Sequence, residues 1–192
     1  MSSGEKPVIE FEPVTLADIF LATYLCDVEI SGFARVERDG RKFRVYGEAI
    51  IFDQTCHGSR TDPDQDAMCR WYDQIRSSGD LEKIEDADRQ KMWWHSHVRY
   101  STEFSGQDWA TMRTLLSHFD EWWLVLVVNK LNDYCLALIE KNDGHISYEE
   151  TAIRLNPAMT DAQFADLMER RKSIIQTLVR KNVTIVSEDV GL

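Results

Sequence analysis

The chain is short of positive charge, of long apolar runs and of paired cysteines, and each shortage removes a class of protein. Its basic runs are brief, Arg41-Lys42 with Arg44 and Arg170-Arg171-Lys172, against a formal charge of −11 over 192 residues. Binding nucleic acid needs clustered cations to neutralise phosphates, so no nucleic-acid partner is expected. The acidic excess gives solubility and names no partner. The four cysteines, Cys26, Cys56, Cys69 and Cys135, include no CxxC pair, which argues against a zinc knuckle and for reduced thiols. The N-terminal stretch MSSGEKPVIEFEPVTL lacks the basic and apolar regions of a signal peptide. The longest apolar run, Trp122 to Val128, is seven residues, far short of the roughly 20 that cross a bilayer. A cytoplasmic protein with no membrane partner is expected.

What the sequence does have suits a folded domain. Hydrophobic residues are 43% and charged residues 29%, and six tryptophans with eight phenylalanines can fill a core. The length fits a single domain spanning 1–192, with no internal repeat or low-complexity segment. Apolar spacing predicts a helix over Thr15–Tyr24 with Thr15 as N-cap, then strands over Asp27–Val36 and Lys42–Phe52 joined at Asp39-Gly40. Residues 53–66 read as a long loop and Ala67–Ser77 as a helix. Ser77–Gln90 reads as an acidic, mobile segment that Leu81 and Ile84 anchor to the body. A strand over Lys91–Ser96, a helix over Ser105–Phe119 and a buried strand over Trp122–Val128 follow. Strands over Tyr134–Glu140 and His145–Thr151 turn at Asn142-Asp143-Gly144. A long helix follows Pro157–Thr160, and NVTIVS is a candidate edge strand. The order implies one α/β (α+β) domain whose sheet is mixed, because hairpins cannot be all parallel. Its core covers about 10–150, with 157–192 as a C-terminal helix and tail.

The stretch WWHSHVRYSTEFSGQD, residues 93–108, carries the chemistry. Residues two apart on a strand share a face, so His95 and His97 aim together and Ser96 faces away. The ten residues after His97 are enough to fold Asp108 back beside them. A His₂Asp shell leaves one position open for water, the arrangement of a catalytic zinc. The competing account is structural: Ser105-Gly-Gln-Asp108 also reads as a capping box opening a helix.

The spacing His-Ser-His, seven residues, Ser, two residues, Asp resembles the signature of the JAMM (or MPN+) zinc metallopeptidases. That family also has a remote glutamate in an E-x-x-G context after the first helix, matched here by Glu29 in VEISGF. The helix after the motif and the strand WWLVLVVN with its hairpin partner fall in the family's order. The resemblance implies the JAMM/MPN, cytidine deaminase-like fold, a curved mixed sheet flanked by helices. It implies that His95, His97 and Asp108 bind Zn²⁺, and that Glu29 takes the proton of the attacking water. It gives Ser105 the carbonyl oxygen as that becomes an oxyanion, with its backbone ending the turn and its hydroxyl facing the substrate. The activity implied is hydrolysis of peptide or isopeptide bonds after the tail of ubiquitin or a ubiquitin-like protein, with 54–66 and 77–90 as places for substrate contacts. Alternatives are a non-catalytic scaffold module on the same fold, or a hydrolase of small acyl-amides. The chain departs from the family where Val98-Arg99-Tyr100 replaces the proline that commonly follows the second histidine, which bears on the loop flanking the cleft.

Other candidates have plainer readings. Glu48, Glu37 and Asp27 compete with Glu29 for the base. Cys56-His57 with Cys69 fits no common zinc spacing. His118, late in a helix, reads as structural, His145 as solvated, and Trp93, Trp94, Trp122 and Trp123 as core.

Overall fold

The structure, a computed structural model, describes residues 6–186 except 59, 119–120 and 143–144. The chain begins β1 (Val8–Phe11), α1 (Pro13–Leu25), β2 (Ser31–Asp39), β3 (Lys42–Ile50), β4 (Gln54–His57) and β5 (Arg60–Pro63). It continues α2 (Gln65–Ser78), α3 (Leu81–Asp88), β6 (Gln90–Ser96), α4 (Gly106–His118), β7 (Trp122–Val128) and β8 (Tyr134–Asn142). It closes with β9 (His145–Thr151), β10 (Ile153–Leu155), α5 (Asp161–Asn182) and β11 (Val183–Ile185).

Eight strands form a curled, mixed sheet in the order β10-β1-β3-β2-β6-β7-β8-β9. The pairs β1–β10, β1–β3 and β6–β7 are parallel, and the others are antiparallel. Alternation along β6 and β7 divides the core into two layers. Met92, Trp94, Leu124, Leu126 and Val128 join α1 and α5 in the larger cluster. Trp93, Trp123 and Val125 face the other way and meet Met112 and Leu116 of α4. His95 and His97 continue the Trp93 face, which places them on the α4 side of the sheet.

Local chemistry accounts for the helix ends. α1 starts two residues before the expected Thr15, because Pro13 at its first turn needs no N–H partner there. Thr15 is buried, and its hydroxyl donates to the Gly47 carbonyl instead of capping. Asp64 caps α2 through the Ala67 N–H, and Gly79, at φ 66°, ends it. Thr160 and Gln163 close a capping box on α5.

Residues 53–66 are not a loop. They form the β4–β5 hairpin, which pairs with β11 as a second, three-stranded sheet in the order β11-β4-β5. The segment 77–90 holds α3, opened by Asp80 accepting from the Lys83 N–H. Of its two expected anchors, Leu81 is 81% exposed and Ile84 is half-buried, and buried Ala87 also holds the helix down. Part of the turn expected at 142–144 lies outside the described residues. No helix among them is long and apolar enough to cross a membrane.

Candidate metal centre

Three elements bring the site together. β6 carries His95 next to its last residue, Ser96, and His97 follows on the same side as His95. Gly106 opens α4 and sets Asp108 in its first turn, and the bend before β2 presents Glu29. Glu29 lies two residues ahead of the strand in which it was expected. The backbone still pairs there: the Ser96 N–H donates to the Ile30 carbonyl at 2.9 Å, and Ser96 Oγ accepts from the Ile30 N–H at 3.1 Å. Ser96, facing away from the site, thereby fixes the segment that carries Glu29.

All four side chains are buried: His95 is 2% exposed, Asp108 5%, His97 8% and Glu29 9%. His95 Nε2 stands 3.1 Å from His97 Nε2 and 3.0 Å from Asp108 Oδ1, and His97 Nε2 is 3.4 Å from Asp108 Oδ2. Two ligands about 2.1 Å from a tetrahedral metal lie ~3.4 Å apart, so these separations fit one shared ion. Among the described residues, these three are the one group of His, Cys, Asp or Glu side chains close enough to hold a metal.

The imidazoles agree with that use. His97 Nδ1 faces the Ser101 carbonyl at 2.6 Å, which places a proton on Nδ1 and leaves the Nε2 lone pair pointing inward. His95 Nδ1 is buried without a hydrogen-bond partner. The ring is instead held flat against Trp93, with centroids 4.4 Å apart and planes 18° from parallel.

Without a metal, burial and mutual hydrogen bonds shift these groups against one another. Burial alone would raise the Asp108 carboxyl, but hydrogen bonds to His95 and His97 outweigh it and hold the group well below the carboxylate range. Burial pushes His95 down, toward the neutral ring. His97 is pushed down by burial and up, on balance, by Asp108 and Ser101. Burial raises Glu29 to about 7, with His97 opposing and Asp108 adding to the rise. A cation shared by the triad would favour the charged Asp108 carboxylate and the neutral rings.

Ser105 and Asp108 do form a reciprocal cap. Asp108 N–H donates to Ser105 Oγ at 3.2 Å, and Ser105 N–H donates to Asp108 Oδ2 at 2.7 Å. The hydroxyl oxygen itself caps the helix, which corrects the expected division between Ser105 backbone and hydroxyl. The oxygen accepts in the cap, so its hydrogen is left to donate, and Ser105 lines the cleft. The structural account and the chemical one use the same atoms.

Val98 adopts φ 46°, a region proline, held near −65°, cannot enter and a β-branched residue enters only under strain. Here the Tyr100 N–H donates to the His97 carbonyl at 2.7 Å, and Lys130 N–H to that of Val98 at 2.7 Å. This turn brings the Ser101 carbonyl back to His97. Buried Asn129 supports it, donating to the Tyr100 carbonyl at 3.0 Å.

The site opens into a cleft of about 510 Å³ lined by Glu29, the three metal-binding candidates and Ser105. Thr61 and Pro63 of β5 also line it, whereas no residue of 77–90 does. Buried Gln54 ties this hairpin to the sheet. Its Oε1 accepts from the Ser31 N–H at 2.9 Å and the Thr61 hydroxyl at 2.7 Å, while its Nε2 donates to the Ser31 and Phe52 carbonyls at 2.9 and 3.0 Å. Gln54 had no signal in sequence, being one amide in a polar stretch.

The rival residues are elsewhere. Glu48 is exposed and pairs with Arg171 at 2.7 Å, Asp27 is exposed and pairs with Lys130 at 2.6 Å, and Glu37 meets Arg44 and Arg89. His57 lies 3.5 Å from Asp62 across the hairpin, Cys56 is buried and Cys69 is exposed on α2. His145 is exposed, and the His118 side chain lies outside the described residues. Trp93, Trp94 and Trp123 are buried and Trp122 packs on Phe43 at 5.3 Å, but Trp93 also walls the cleft.

No protein family and no curated protein matches the chain. Among solved structures it is similar to protein DSY2949 from Desulfitobacterium hafniense, known from a solution structure. Identity is 16% over 82% of this chain and 98% of that one, with a TM-score of 0.44.

Proposed function

We propose that this protein is a JAMM-type zinc hydrolase that cuts peptide or isopeptide bonds, with the C-terminal tail of a ubiquitin-like protein as substrate class. The observation that carries the reading is the convergence of His95, His97 and Asp108 on one point, in a cleft that Glu29 and Ser105 share. A zinc ion held by the three would activate water at neutral pH and polarise the scissile carbonyl.

The chain's own groups supply the rest. Glu29 takes a proton from the attacking water as its oxygen bonds to the carbonyl carbon. It returns that proton to the amine as the C–N bond breaks. A buried carboxylate lining the cleft is suited to both transfers. The Ser105 hydroxyl hydrogen donates to the carbonyl oxygen as negative charge develops, an interaction typically worth ~3 kcal/mol. β5 is the edge of the small sheet and lines the cleft, where an extended tail could add as a strand.

Purified protein is expected to carry about one zinc per chain, lost in His95→Ala. Glu29→Gln should keep the zinc and lose ~10²-fold or more of its cleavage of a ubiquitin-like fusion. Full cleavage by Glu29→Gln would sink the mechanism. A native protein that takes up no zinc would sink the hydrolase reading and favour a scaffold.

A further inference from the structure

The cleft extends past the metal-binding residues into an apolar bay. Its apolar walls are Trp93 of β6, Phe33 of β2, Phe104 of the loop before α4, and Thr111 and Leu115 of α4, while Glu103 and Gln107 line the same cleft. Phe33 and Trp93 are register partners across β2 and β6, and Thr111 and Leu115, four apart, share a helix face. Phe33, Phe104 and Leu115 are half-buried against the smaller core cluster. On this side that core is closed by the cleft itself.

The walls are braced. Phe33 packs edge-on against Phe52 and Trp123, at 5.9 and 6.1 Å. Phe104 does the same against Trp109 and Tyr148, at 6.0 and 5.8 Å. Such packed rings do not collapse to fill a gap. None of the five wall residues is charged, and their polar groups are one hydroxyl and one indole N–H. Water held in such a bay would lack the three or so hydrogen bonds that a buried water typically makes.

We infer that this bay is a subsite for a bulky apolar group of the substrate, flanking the amide bond that is cut. The inference rests on the hydrolase reading above and narrows its substrate class. A tail that ends in glycine would leave the bay unfilled, so the bay selects, within the proposed class, a tail or acyl group that presents a leucine, phenylalanine or similar side chain to these walls. An anionic group would lose hydration against these walls and would meet Glu103 in the same cleft. Because Trp93 stacks on His95, the filled bay and the metal-binding face share one wall, and an apolar group seated in it places the neighbouring carbonyl at the ligands.

The full chain tests this, zinc-loaded and chelator-treated. Toluene should shift the methyl resonances of Thr111 and Leu115 in both forms, because the bay does not need the metal. On the zinc-loaded form, 3-phenylpropionohydroxamic acid should bind at least ~10-fold more tightly than acetohydroxamic acid. Thr111→Trp and Leu115→Trp, each checked for fold by circular dichroism, should bring that ratio within about threefold. Equal affinities in the wild type, or a ratio that both folded variants leave intact, would overturn the inference, as would toluene without effect on the two methyls. A chain that binds toluene there but takes up no zinc would instead overturn the hydrolase reading alone.

Discussion

Glu29 is placed where its charge is poorly solvated, and that has a cost that can be measured without any substrate. In metal-free protein, burial holds its pKa near 7 instead of the ordinary 4.5. Between those values the folded chain keeps a proton that the unfolded chain has released. Stability from this group therefore falls as pH rises through that window. Glu29→Gln keeps the shape and removes the charge. In the presence of chelator, the variant is expected to be more stable than wild type at pH 8, by about 1–2 kcal/mol, with the gap narrowing by pH 5. Urea unfolding at both pH values measures this, and an equal gap at both would mean that Glu29 is not desolvated. At this scale the sequence was most legible, because few residue types bind metals: His95, His97 and Asp108 do converge, in a cleft that Glu29 and Ser105 also line. The Ser101 carbonyl and the flat face of Trp93 were not legible: any residue offers a carbonyl, and a tryptophan in a strand reads as core.

Elements aim those residues, and two contacts between elements are open to test. A Cβ on Gly32 would stand 2.1 Å from the Ile50 carbonyl oxygen and 2.6 Å from Trp94 Cζ2. The glycine of the E-x-x-G pattern is thus the point where β3 and the Trp94 ring close on β2. Gly32→Ala must part these strands three residues from Glu29. It should cost about 3 kcal/mol and weaken zinc uptake, read by thermal melts and elemental analysis; a melt like wild type would contradict the close approach. Gln54→Leu acts on the other wall of the cleft. It leaves the Ser31 N–H and carbonyl without their side-chain partner, a loss of about 2–4 kcal/mol for two buried groups. Amides of β4 and β5 should then exchange faster while zinc stays bound, and unchanged exchange would remove Gln54 as the hairpin's anchor. The hairpin was read as a loop because its strands, QTCH and RTDP, carry almost no apolar alternation. Polar bonds such as those of Gln54 hold it instead. β1 and β10, at four and three residues, are too short for periodicity to register, and they exist because the sheet offers them a neighbour.

The whole molecule is fastened by its C-terminal part more firmly than the division into a core and a tail suggested. α5 packs Ile175 into the larger core, and β11 pairs with β4 behind the cleft hairpin. Arg171, part of a basic run in the sequence, turns inward. It donates to both carboxylate oxygens of buried Asp18 on α1, at 2.8 and 2.9 Å, and to Glu48 of β3 at 2.7 Å. Asp18 also accepts from the Ala49 N–H at 3.3 Å, so one carboxylate joins α1, α5 and β3. Burial raises the Asp18 pKa even against the pull of Arg171, so without the guanidinium that carboxyl would protonate more readily still. Arg171→Ala is therefore expected to cost about 3–5 kcal/mol near pH 8, where Asp18 must stay charged or take a proton from solution. The loss should be smaller near pH 5, where protonation comes easily. Asp18→Asn in the same chain should recover part of the loss at pH 8 and little at pH 5. Urea unfolding of the three variants at both pH values separates these outcomes, and a loss below about 1 kcal/mol at pH 8 would place the pair with ordinary surface ion pairs.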